Sequence, residues 1–120
     1  MKLGPIQTKW VESLEKYPQR QMKFRLGYSS SDGSYKACCL GEGGLVAGVC
    51  NWSNGRLLTK NTASFTGLDG VYEHLGLRDS GGTIQGTSNS LANMNDSDKT
   101  WPEIAAFIRE NPTLVFTKSV

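Results

Sequence analysis

The segment 100–112, TWPEIAAFIRENP, leaves little choice of local structure, and the rest of the chain must supply a surface for it to pack on. Thr100 is followed three residues later by Glu103, so the two can form a capping box. The hydroxyl takes one orphan backbone N–H and the carboxylate takes another. Pro102 lies in the first turn, where its missing N–H costs nothing. Trp101, Ile104, Phe107 and Ile108 recur at helical spacing and make one apolar stripe. Asn111-Pro112 ends the element, because a residue before proline is pushed out of the α region.

An earlier helix is expected from about Lys9 to Lys16. Thr8 is its cap, Trp10, Val11 and Leu14 are on one face, and Tyr17-Pro18 ends it. Met22, Phe24, Leu26 and Tyr28 then alternate with Lys23, Arg25 and Gly27, the period of a half-buried strand. This predicts a hairpin of strands 22–28 and 35–40 turning at Asp32-Gly33, with Phe24 and Tyr28 on the core face. Residues 45–52 fit either a strand or a short helix, and Asn54-Gly55, the strongest short-range hairpin signal, favours strands at 45–52 and 56–60. Residues 62–67 read as loop. Leu68, Val71, Tyr72 and Leu75 have helical spacing, closed by Gly76. The Ser/Gly/Thr-rich stretch 78–89 reads as a long surface loop and the best candidate for mobility. Leu91 and Met94 suggest one helical turn, and 113–117 (TLVFT) a final strand. The expected fold is α+β, a small antiparallel sheet of three to five strands packed with three helices, in a single domain over 1–120.

A chain of 120 residues can bury one modest core without disulfides or metal. Three cysteines, two of them adjacent, do not make an extracellular disulfide framework. The stretch 1–6 is too short for a secretory apolar core, and no apolar run approaches the length of a membrane span. A cytoplasmic location with reduced thiols is therefore expected, with no membrane partner. Residues 1–40 carry seven Lys/Arg against three Asp/Glu, whereas 41–120 carry six against eight, which places any basic face near the N-terminus.

The single histidine, His74, rules out multi-histidine chemistry within one chain. Cys38, Cys39, Cys50 and His74 are the only set available to a metal or thiol enzyme. Structural zinc uses cysteines spaced so that a turn aims both sulfurs inward, and adjacent cysteines do not. No base is placed beside a thiol to activate it. Asn95, Asp96 and Asp98 lack the ligand order of a calcium loop and read instead as local turn closure and helix-terminus charge. GEGGLVAG lacks the endings of phosphate-binding loops, and its glycines read as a sharp bend. No catalytic residue, metal site or cofactor is expected.

The chain resembles a widespread set of small phage and prophage proteins of unknown function. The resemblance rests on the tryptophan-bearing segment 10–14, Cys38-Cys39-Leu40-Gly41, LDGVYEHLGL at 68–77, the L-x-x-(L/M)-N-D segment 91–96, and Trp101-Pro102-Glu103-Ile104-Ala105 in the pattern (F/W)-x-E-I-A. That family continues after CCLG as a short apolar helical segment, whereas GEGGLVAGVCNWSNG reads as a hairpin. The resemblance implies a non-enzymatic accessory protein that binds a host or phage protein, with counteraction of host defence one such role, in the host bacterial cytoplasm. The candidate partner-binding residues are Lys16, Arg20, Lys23, Arg25 and Lys36 of the basic segment, with Trp52 and Arg56 of the second hairpin. The alternative is nucleic-acid binding through 16–36, where basic and aromatic residues interleave, although alternation sets Phe24 and Tyr28 on the core face opposite the charges, against base stacking.

Overall fold

Proline sets where the first helix begins. Pro5 opens α1 (Pro5–Lys16) with its ring in the first turn, so the helix starts ahead of the expected Thr8 cap. The Gln7 side chain accepts from the Gly4 N–H at 2.9 Å and completes that end. The computed structural model describes residues 1–59 and 71–120. The expected loop at 62–67, Leu68 and the strand end at Lys60 lie outside the described residues.

After a 3-10 turn at Pro18–Arg20, the first hairpin is shorter than alternation predicts. β1 is Gly27–Ser29 and β2 is Tyr35–Ala37, with Tyr28 facing Lys36. Residues 22–26 are loop, and the second strand stops at Ala37 because Cys38 caps a helix, α2 (Cys39–Ala47), its sulfur accepting from the Gly41 N–H. The expected strand at 45–52 is thus divided: 45–47 end α2, 48–49 turn, and 50–52 belong to β3 (Cys50–Ser53). Gly48, at φ 75°, is the left-handed residue that closes α2. Asn54-Gly55 does turn the second hairpin, both residues having positive φ, and β4 (Arg56–Thr59) returns along β3. The result is a four-stranded antiparallel sheet of order β2-β1-β4-β3, so the α+β expectation holds.

The described residues continue with α3 (Val71–His74), α4 (Leu91–Asp96) and α5 (Trp101–Glu110). The Thr100–Glu103 capping box forms as expected, the Glu103 carboxylate accepting from the Thr100 N–H at 3.0 Å. TLVFT is not a strand. Pro112 starts a short helix, α6 (Pro112–Val115), and only Phe116 makes a β-bridge, to Leu77. The loop at 78–89 is tied down: Ile84 is buried, and the Asp79 carboxylate accepts from the Thr83 N–H.

The core lies between α1, α2, α5 and the inner face of the sheet, around Trp10, Leu14, Leu40, Leu57, Trp101 and Ile108. Close approach here requires glycine. A Cβ on Gly41 would run into the Leu26 carbonyl, which joins the start of α2 to the chain entering β1. Side chains alternate across the sheet, so Gly27, Ala37 and Leu57 point inward while Tyr28, Lys36 and Arg56 point outward.

Candidate functional site

Residues 22–26 leave the sheet and return to nearly the same point. The Met22 N–H donates to the Ala37 carbonyl at 2.9 Å, and the Leu26 carbonyl accepts from the Cys38 N–H at 3.1 Å. Between these two pins, Lys23, Phe24 and Arg25 are all exposed. Phe24 has φ 67°, a left-handed conformation that costs a bulky residue roughly 1–3 kcal/mol. Its N–H donates to Asp96 Oδ1 at 2.9 Å, which fixes that conformation.

Asn95 is buried and builds the base of this loop; it is not the local turn closure expected of it. Its Nδ2 donates to the Met22 carbonyl at 2.8 Å and to Asp96 Oδ1 at 3.2 Å. Its Oδ1 accepts from the Cys39 N–H at 3.0 Å and from Trp101 Nε1 at 2.9 Å. The amide therefore joins α2, α4, α5 and the loop through one side chain. Gln21 adds a second tie: its Oε1 accepts from the Trp101 N–H at 2.9 Å and its Nε2 donates to the Lys99 carbonyl at 2.9 Å. The cysteine segment thus meets the Asn-Asp and tryptophan segments, more than 50 residues further along the chain, beneath Lys23-Phe24-Arg25.

Beside the loop, the register sets Lys36, Tyr28, Arg56 and Ser53 in one row across all four strands on the outer face. Arg25, Tyr28, Asn54, Gly55 and Arg56 help line a cleft of about 520 Å³ where β1 meets β4. Phe24 is 79% and Tyr28 49% exposed, so neither joins the core face that alternation predicts. The positive φ at Phe24 breaks the period-2 pattern, and pairing begins only at Gly27. None of the four strands contains Asp or Glu, and residues 16–31 carry four cations without a carboxylate.

The seven partner-binding candidates divide in two. Lys23, Arg25, Lys36 and Arg56 belong to the loop and outer face, where the Lys36 ammonium also donates to the Gln19 carbonyl at 3.2 Å. Arg20 and Trp52 sit instead around Tyr35, the Trp52 and Tyr35 rings lying 5.3 Å apart, and Lys16 lies over the Tyr17 ring. The Arg20 guanidinium is sandwiched by Tyr17 at 3.7 Å and Tyr35 at 4.5 Å from the ring centroids. Behind them is a buried carboxylate that sequence reasoning missed. Glu42, its side chain 2% exposed, accepts from the Tyr35 hydroxyl at 2.7 Å and from Ser13 Oγ, and pairs with Arg20 at 3.5 Å. Burial, then the Glu42 carboxylate, push the Tyr35 phenol well above its ordinary range. This group braces α1, α2 and β2, because the buried carboxylate is bonded to Ser13, Tyr35 and Arg20 at once.

The thiols stand apart from both groups. Burial pushes Cys38 and Cys50 up to about 11 and Cys39 well above its usual range, the opposite of nucleophile activation. The Cys39 Sγ donates to the Leu91 carbonyl at 3.6 Å, and the Cys50 Sγ packs on Gly44. His74 is exposed at the end of α3. Among the described residues no three His, Cys, Asp or Glu side chains are grouped to hold a metal, and no helix is long and apolar enough to cross a membrane. No family model, no curated protein and no solved structure matches the chain.

Proposed function

We propose that this chain is a non-enzymatic binding protein, a small accessory protein of the phage and prophage kind that its motifs resemble, and that its outer sheet face takes single-stranded nucleic acid. One observation carries the reading: exposed Phe24, Lys23 and Arg25 on the loop adjoin Tyr28, Lys36 and Arg56 on the outer face of strands that contain no carboxylate. Cations beside the aromatics suit a phosphate backbone, and aromatic faces suit unpaired bases of any sequence. The protonated thiols support the non-enzymatic half of the reading. In this reading the protein works in the host bacterial cytoplasm.

Fluorescence anisotropy with a labelled oligothymidylate, titrated from about 50 to 200 mM salt, tests the reading. Affinity falls linearly on logarithmic axes, and the single strand binds more tightly than its duplex. Replacing both Lys23 and Arg25 by Ser reduces the salt slope by about 1.4, roughly 0.7 for each lost phosphate contact. Absent or salt-independent binding rejects the nucleic-acid reading. If a host or phage protein instead binds the wild-type chain and is lost in the same double variant, the ligand of this face is a protein, as the resemblance implies.

A further inference from the structure

The Asn95-Asp96 pair has a structural task that its place in the sequence conceals. An exposed phenylalanine in the left-handed region is a poor solution for folding alone: it exposes apolar surface and strains the backbone together. Glycine would relieve the strain at this position, and a polar residue would relieve the exposure. The protein instead commits a buried asparagine and an aspartate to holding Phe24 in place, with Asp96 Oδ1 on its N–H and Asn95 Nδ2 on the Met22 carbonyl two residues before it. Lys23 and Arg25 flank Phe24 in the sequence, and Tyr28 lies at most about 14 Å of extended chain away.

Resting on the single-strand reading above, we infer that Phe24 is the stacking anchor for an unpaired base and that Asp96 is its positioning residue. The Phe24 ring offers a face on which a base can stack, Tyr28 offers a second within reach of the same strand, and the flanking cations meet the phosphates between. Asp96 touches no ligand. It acts through the Phe24 backbone and fixes the direction in which the ring leaves the loop.

Phe24→Gly separates folding from binding, since it removes both the ring and the strain. Thermal unfolding and anisotropy are measured on the wild type, Phe24→Gly, Phe24→Trp and Asp96→Ala, with a labelled oligothymidylate of roughly 16 nucleotides. Phe24→Gly melts at or above the wild-type temperature, yet binds between about fivefold and a hundredfold more weakly, the range expected for loss of one stacked base. Its salt slope stays at the wild-type value, because no phosphate contact is lost. Phe24→Trp binds as well as the wild type or better, and base stacking quenches its indole. Asp96→Ala keeps the salt slope and loses affinity in the same direction as Phe24→Gly. Wild-type binding that Phe24→Gly leaves unchanged overturns this inference and leaves the single-strand reading standing. Failure of the wild type to bind at low salt overturns both.

Discussion

Asn95 shows how much one amide can hold. Its oxygen serves the Cys39 N–H and the Trp101 indole, and its nitrogen serves the Met22 carbonyl, all in or near the core. Asn95→Ala leaves at least two buried donors without acceptors, so it costs about 3 kcal/mol or more in a urea titration. Asn95→Leu restores the volume without the hydrogen bonds and does not rescue, whereas a loss below about 1 kcal/mol contradicts the hub role. The pair Asn95-Asp96 is conspicuous in the sequence, but its task is not legible there. Its partners Met22 and Phe24 lie 73 and 72 residues away, and no local pattern reports a contact of that kind. Glu42 was hidden for the same reason, since GEGG reads as a bend until Ser13, Tyr35 and Arg20 are seen around the carboxylate.

At the scale of elements, local signals decided α5 and the turn between β3 and β4, and tertiary packing decided α2. The Thr100 cap and Pro102 act within one turn, so helix α5 could be read directly. Thr100→Ala removes the hydroxyl and lowers stability by about 1 kcal/mol, read as a shift in the thermal midpoint. Asn54-Gly55 was equally legible, but β3 reaches back only to Cys50, and the strand expected at 45–52 overran it. What makes 39–47 helical is a helix-terminal Cys38, the left-handed Gly48, and glycines that let α2 press against Leu26 and Cys50. Glycine lowers helix propensity, so a reading by propensity misses a helix held by close packing. The first hairpin failed differently. Alternation over Met22, Phe24, Leu26 and Tyr28 mimics a strand, while the left-handed Phe24 reverses the direction of the side chains midway.

For the whole molecule, the thiols set the alkaline limit. Cys38 and Cys50 are raised to about 11 and Cys39 further, so the folded chain keeps protons that the unfolded chain releases near 9. Their contribution is fully present below pH 9 and is lost as pH rises from 9 through 11. Stability read from urea unfolding therefore falls between pH 8.5 and 10.5, by roughly 2 kcal/mol for each of these thiols. Cys50→Ala weakens that dependence, and an unchanged slope in that variant contradicts the assignment. The acid side is gentler. Glu15 is lowered by its hydrogen bond to Arg109, so its contribution is lost as pH falls through the carboxylate range, but both side chains are over two-fifths exposed and the pair adds little.

The two pins at Met22 and Leu26 also bear on how such a protein can diverge. Because the loop begins and ends at Ala37 and Cys38, its ends stay fixed whatever lies between them. Residues 23–25 can therefore be substituted or extended by insertion without moving a strand out of register.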